Sequence, residues 1–359
     1  MQIPGRLTTL MRMASLSLTL MCMSAGAVDL QGPLTIKSEG SFFIGGTVKN
    51  TANLGGKETD PKVTQEGQIT TGQMYVQYQV PASADHLPIV LVHGGGLSGQ
   101  AYDTTPDGRM GWMEYFLRNA RPVYAVDQAG RGRSGFDATV YNAARSGSIN
   151  AHDAPPIQII GHEFAWTWFR IGPKFGTPFA DTQFPVEAVD AFYKMWIPDL
   201  NAALPDPNPS YADLAALSVK LGGAVLIGHS ESFMFPERAA LLKPANVKGI
   251  ISLESGYACN TSFTAQEKTT LAGIPILIVF ADHQADAPEP FGSRWTTSMA
   301  QCRAFAASIR QEGGDVTFLH LPEAGIHGNS HMFMLDKNNL QIADLLLSWI
   351  DQHVEHAAK

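Results

Sequence analysis

Long runs of any one character are what this chain lacks. Only 16% of its 359 residues are charged, and they are scattered, so there is neither a basic stripe nor an acidic tail. With 25 basic against 33 acidic side chains the net charge is −8, the wrong sign for an electrostatic nucleic-acid footprint, and no nucleic-acid partner is expected. Cysteine is scarce, three in all, and neither an HExxH string nor a cysteine–histidine ligand cluster occurs. The common zinc frameworks are thereby excluded, and neither a metal nor an organic cofactor is expected. No apolar run is long enough to span a bilayer comfortably, so no integral membrane segment is expected in the mature chain. Repeats and low-complexity tracts are absent too. What is there, 45% hydrophobic, is an ordinary globular composition with ample material for a large core.

The N-terminus reads differently from the rest. Arg6 and Arg12 precede a short apolar stretch, Met13 to Met23, and Ala25-Gly26-Ala27 offers an A-x-A cleavage site. This is the pattern of a secretory signal peptide over residues 1–27, leaving a mature chain of residues 28–359 that is secreted or periplasmic. Cys22 lacks the small preceding residue that a lipoprotein signal wants. Cleavage leaves Cys259 and Cys302, and an even pair in an oxidising compartment predicts a disulfide.

Apolar runs bounded by turn signals recur along the chain. Ser41 to Val48 and Gln73 to Val80 read as an antiparallel leading pair. Strands are then expected at Leu87 to Val92, Pro122 to Val126, Ala224 to Ile227, Val247 to Leu253, Ile274 to Phe280 and Val316 to Leu321. Helices are expected around Trp112 to Arg118, at Phe233 to Leu242, Thr296 to Glu312 and Leu340 to His353. Strands alternating with helices predict an α/β fold, a mostly parallel central sheet covered by helices on both faces. Its ligands should gather at the carboxyl ends of the strands. Residues 136–208 break the rhythm. They are rich in Pro and Gly and crowded with aromatics, among them Phe164, Trp166, Trp168, Phe169, Phe192 and Trp196. So long a loop without structure is improbable, and the segment reads as a cap inserted over the strand ends. The alternative is that these rings form only the insertion's own core.

The chemistry centres on Gly228-His229-Ser230-Glu231-Ser232, lying between an apolar strand and a helix. A serine at so sharp a turn, with small residues two places to either side, has the spacing of a nucleophile elbow. Ser232 stands where glycine is usual, and still meets the size requirement. A serine hydroxyl needs a base, usually a histidine oriented by a carboxylate. After the last strand two bases offer themselves, His327 and His331. Two acids do so as well, Glu254 closing the strand beside the nucleophile's and Asp282 after the next. An oxyanion hole needs two backbone N–H donors. Glu231 follows the nucleophile, and Gly95 lies in the His93-Gly94-Gly95-Gly96 turn after an apolar strand.

Those motifs, with Asp127-Gln128-Ala129-Gly130-Arg131-Gly132-Arg133-Ser134-Gly135 between them, resemble the α/β-hydrolase fold from about residue 40 to the C-terminus. More narrowly, Gly228 to Ser232, Ser252-Leu253-Glu254 and Gly328-Asn329-Ser330-His331-Met332 are similar to the bacterial esterase 713 family. The resemblance implies a serine carboxylic-ester hydrolase acting through an acyl-enzyme, with Glu254 as the acid and His331 as the base. The composition of the insertion finds no match there, so substrate choice does not transfer. The aromatics point to a small-molecule ester with an apolar or aromatic group. The same machinery serves amidases, lactonases and thioesterases, and a non-catalytic binding protein on this fold is the alternative from another class. Oligomeric state is silent in the sequence.

Overall fold

A computed structural model of the protein describes residues 32–52, 54–55, 66–255, 259 and 262–356. The signal-peptide reading over residues 1–27 lies outside the described residues. Eight strands form one sheet in the order β1-β2-β4-β3-β5-β6-β7-β8. They are β1 (Ile36–Thr51), β2 (Gly67–Pro81), β3 (Ile89–Val92), β4 (Val123–Asp127), β5 (Ala224–His229), β6 (Val247–Leu253), β7 (Ile276–Phe280) and β8 (Val316–His320). Only the β1/β2 and β2/β4 pairs are antiparallel; from β4 to β8 every pair is parallel. The central strands are largely apolar because both faces are covered. Val225, Leu226 and Ile227 of β5 have no exposure, and neither do Ile250 and Ile251 of β6.

Nine α-helices occur among the described residues: α1 (Trp112–Arg118), α2 (Thr139–Ser146), α3 (His162–Trp168), α4 (Val189–Tyr193), α5 (Pro209–Lys220), α6 (Phe235–Leu242), α7 (Ala265–Ala272), α8 (Phe291–Gln311) and α9 (Asn339–Ile350). Local chemistry starts several of them. Asn208 caps α5 by accepting the Ser210 N–H, with Pro209 at the first helical position. Thr264 and Glu267 form a reciprocal capping box on α7. One core cluster packs α1 and α9 against one face of the sheet; a second packs α5, α6, α7 and α8 against the other.

The sheet matches the mostly parallel arrangement expected, with differences at the ends of elements. β1 and β2 run well past their expected bounds. Gly45, Gly46 and Gly72 lie inside the hairpin with positive φ. Gly45 is required there, since a Cβ would overlap the Asp213 carboxylate of α5. α8 begins at Phe291 rather than Thr296. Gly292, in the first turn of the helix, packs so closely that a Cβ would lie 2.6 Å from the Ala287 carbonyl oxygen. Residues 230–234 form a separate 3₁₀ turn before α6.

The 136–208 segment crosses between β4 and β5 and contains α2, α3 and α4. Trp166, Trp168, Phe169, Phe184 and Phe192 are buried and continuous with the core that holds α1 and α9. Trp168 packs on Trp295 of α8 with ring centroids 4.8 Å apart. These five rings thus join the segment to the body of the protein. No helix of the described residues is long and apolar enough to cross a membrane.

Cys259 and Cys302 are joined by a disulfide that ties the chain beyond β6 to α8. Closing a loop of 43 residues' separation constrains the unfolded chain by about 4 kcal/mol in the chain-entropy account. Reduction, or Cys302→Ser, should therefore lower the thermal midpoint by several degrees in calorimetry. An unchanged midpoint after verified reduction would show that the bridge contributes nothing.

Candidate active site

The strand ends converge on Ser230. β5 stops at His229, and Ser230 takes a left-handed backbone (φ +58), a conformation costly for a residue with a Cβ. The turn is tight: a Cβ on Gly228 would overlap the Ser232 carbonyl oxygen and lie 2.9 Å from Pro236 Cδ. Ser232 does more than satisfy a size limit. Its Oγ accepts the His229 N–H at 2.8 Å and lies 2.9 Å from the Val92 carbonyl oxygen, tying the elbow to the end of β3.

The glycine loop after β3 runs directly over the serine. A Cβ on Gly94 would stand 2.8 Å from Ser230 Cβ, and one on Gly95 would crowd Glu231 Oε2 at 3.3 Å. His93 anchors this loop. Its Nδ1–H donates to the Gly94 carbonyl at 2.8 Å, and its Nε2 accepts the Gln128 N–H at 3.0 Å. Burial, helped by the nearby Arg131 charge, lowers its pKa to about 4, so it stays neutral. Arg131, itself buried, grips the Glu231 carboxylate with two nitrogens and Asp199 of the insertion with a 2.8 Å bond.

Of the two late histidines, His331 is the one within hydrogen-bond reach of the serine: its Nε2 lies 2.9 Å from Ser230 Oγ. Its Nδ1 lies 2.9 Å from Glu254 Oε2. Glu254, at the end of β6 with φ +53, is fully buried. Burial alone would raise its pKa, but Arg170, His331 and the Ala281 N–H outweigh that and hold it near 2, so the carboxyl is ionised. Burial lowers the His331 pKa below the usual 6.5, against the pull of Glu254. The other two residues stand together elsewhere. The His327 side chain is 59% exposed, with Nδ1 3.5 Å from Asp282 Oδ2. Asp282 also receives the Gly328 N–H at 2.9 Å and the His283 N–H at 2.7 Å.

The loop that carries His331 is fixed from both sides. Buried Asp336 receives Ser330 N–H at 2.8 Å, Ser330 Oγ–H at 2.7 Å and Asn329 Nδ2 at 2.9 Å. On the other side, the His331 N–H donates to the Phe169 carbonyl at 2.9 Å, and the two rings stack 5.0 Å apart. Trp295 flanks the same imidazole at 4.9 Å. Arg170 escapes a reading of the sequence because its partner Glu254 lies 84 positions away, and the role of Arg131, though its motif is legible, depends on Asp199 and Glu231, 68 and 100 positions on.

Two groups of metal-ligating side chains assemble among the described residues. Asp181, Asp282 and His283 join the insertion to the loop after β7, while His86, Asp351 and Glu355 lie at the amino ends of the strands. In both groups the histidines and carboxylates already pair with one another, and in the second Arg121 neutralises both acids.

No family model matches the chain. A bacterial esterase solved at atomic resolution is 42% identical, with a TM-score of 0.84, and the match covers 90% of this chain and 98% of that one. A probable secreted lipase, phiG, of a fungal species (strain ATCC 74256) is 27% identical over 344 residues, covering 80% of this chain and 88% of that protein. An elbow serine beside a late histidine, on this sheet, is the arrangement of α/β-hydrolases. The likeness to the bacterial enzyme narrows the class, and the chain belongs to the α/β-hydrolase esterases.

Removing the Asp336 carboxylate would leave the buried Ser330 N–H and Oγ–H unpaired, at about 1–3 kcal/mol each, and take one of two acceptors from Asn329 Nδ2. Asp336→Ala should thus lower the thermal midpoint and cut esterase kcat together. A variant that keeps full activity would mean that this anchor does not position the histidine.

Proposed function

We propose that this protein is an exported serine carboxylesterase in which Ser230, His331 and Glu254 form the catalytic triad. One observation carries the reading: the unbroken hydrogen-bonded line from Ser230 Oγ through His331 to Glu254 Oε2, with both links 2.9 Å long. Ser230 Oγ attacks the ester carbonyl while His331 Nε2 takes its proton. Glu254 holds the Nδ1–H tautomer and stabilises the imidazolium that forms. The Gly95 and Glu231 N–H groups bind the tetrahedral oxyanion. Collapse expels the alcohol, which takes the proton back from His331, and water then releases the acid from the acyl-enzyme by the same steps.

The names of the relatives support an ester of small-molecule size as substrate, since one is an esterase and the other a probable lipase. Export is supported by the charged-then-apolar N-terminus with its A-x-A site, by the Cys259–Cys302 bridge, and by the relative's description as secreted. The insertion over residues 136–208 acts as the cap, since Phe169 stacks directly on the proposed base.

Ser230→Ala should lower kcat for a p-nitrophenyl ester by roughly 10⁴-fold or more with an unchanged thermal midpoint. Retained turnover would remove the serine from the mechanism. Glu254→Gln should cost on the order of 10³–10⁴-fold, whereas Asp282→Asn should cost less than about 10-fold; the reverse order would transfer the acid role. Because the base works when neutral and its pKa is lowered, kcat/KM should rise with pH along a limb centred below the usual histidine value of 6.5. A profile flat through the acid range would point to another base.

A further inference from the structure

A permanent cation reaches the proposed triad from outside the sheet. Arg170 lies just beyond α3, fully buried, with its backbone in the left-handed region at φ +57. Its Nη2 donates to Glu254 Oε2 at 2.5 Å, and that same oxygen receives His331 Nδ1 at 2.9 Å. The other carboxylate oxygen, Oε1, takes the Ala281 N–H and, at 3.4 Å, Gln284 Nε2. The guanidinium is aimed by two further contacts. Its Nε donates to the Asp282 carbonyl at 2.7 Å, and its plane lies 4.2 Å over the Trp295 ring that flanks His331. Among the described residues its Nη1 is buried and meets no protein acceptor.

Sharing one oxygen has an electrostatic consequence. In a buried histidine–carboxylate pair the lone anion favours imidazolium and raises the basicity of the ring. A guanidinium on the same oxygen cancels much of that pull, and an imidazolium there would be a second cation beside the first. No other charge among the described residues around the ring replaces the lost anion. His229, at the end of β5, donates Nε2–H to the His331 carbonyl, and its own pKa lies well below the usual value through burial and the neighbouring His331. His93 stays neutral beneath the glycine loop. The Asp282 carboxylate is turned to Gly328, His283 and His327, and Glu231 is neutralised by Arg131.

We propose that Arg170 is a positioning residue which, by sharing Glu254 Oε2 with His331, keeps the imidazole in its unprotonated, base-competent form into the acid range. The proposal rests on the triad reading above. It also makes that competence depend on the seating of the insertion, since Arg170 and Phe169, the two adjacent residues that hold His331 and its acid, both belong to it.

The test is kcat/KM for p-nitrophenyl acetate against pH in the wild type, Arg170→Met and Arg170→Lys. Loss of the cation should move the acid limb of the Met variant upward by about one to three pH units, the range for a neighbouring charge. The Lys variant, which keeps the charge, should stay closer to wild type. A Met variant with a lower plateau but an unmoved limb would reduce Arg170 to a structural role and overturn the proposal. Should the Met variant not fold, Arg170→Gln, which also removes the charge, takes its place in the same comparison with the Lys variant, and an unmoved limb overturns the proposal. Fluorophosphonate labelling of wild-type Ser230 separates the two claims. No labelling defeats the triad itself, whereas labelling with an unmoved limb defeats only the role of Arg170.

Discussion

A carboxylate with no solvent exposure has to be met on every lone pair, and Glu254 sets that condition for the rest of this molecule. Four groups from three separate parts of the chain answer it. Arg170 comes from the insertion, His331 from the last loop, Ala281 from the end of β7 and Gln284 from the turn beyond it. Breaking any one leaves charge or polarity stranded in a medium that solvates it poorly, which is why such a group locks its surroundings into a single arrangement. The sheet delivers Glu254 and Ala281 side by side because β6 and β7 are adjacent and parallel. The insertion and the last loop must then be brought onto that edge, and their aromatic packing on Trp295 does so.

Backbone strain clusters at the same place. Ser230, Glu254 and Arg170 all have positive φ, although none is glycine. Each is a residue whose side chain must leave its element at an angle that the regular strand or helix does not offer. The glycines nearby solve the complementary problem of close approach. Gly94 lets the β3 loop lie on the serine, and Gly228 lets the elbow fold against α6. Strained polar residues and unstrained glycines therefore alternate around Ser230, held by the buried core on either face of the sheet.

Much of this was legible in the residues themselves. Continuous apolar runs marked β3 to β8, since a strand buried on both faces needs no polar alternation. The elbow and the glycine loop were legible because their geometry admits few residue types. The choice between His327 and His331, or between Asp282 and Glu254, was not open to local reading. Each pair sits in the same or a neighbouring loop and has the same chemistry, so only a resemblance to known enzymes separated them. The function of Ser232 was half legible: its size fitted the turn, but its bond toward Val92 depends on β3 lying next to β5.

The sequence alone thus determined the order of elements, the parallel sheet and the identity of the turn at Ser230, because these follow from short-range sterics and from the burial of apolar runs. Tertiary structure decided which histidine meets the serine, which acid meets the histidine, and that Arg170 joins them. Those outcomes depend on where chain segments separated by 77, 84 and 101 positions come to lie. Charge–charge attraction acts over a few ångströms of space, whatever the distance along the chain, so nothing in the local residue pattern could have announced it.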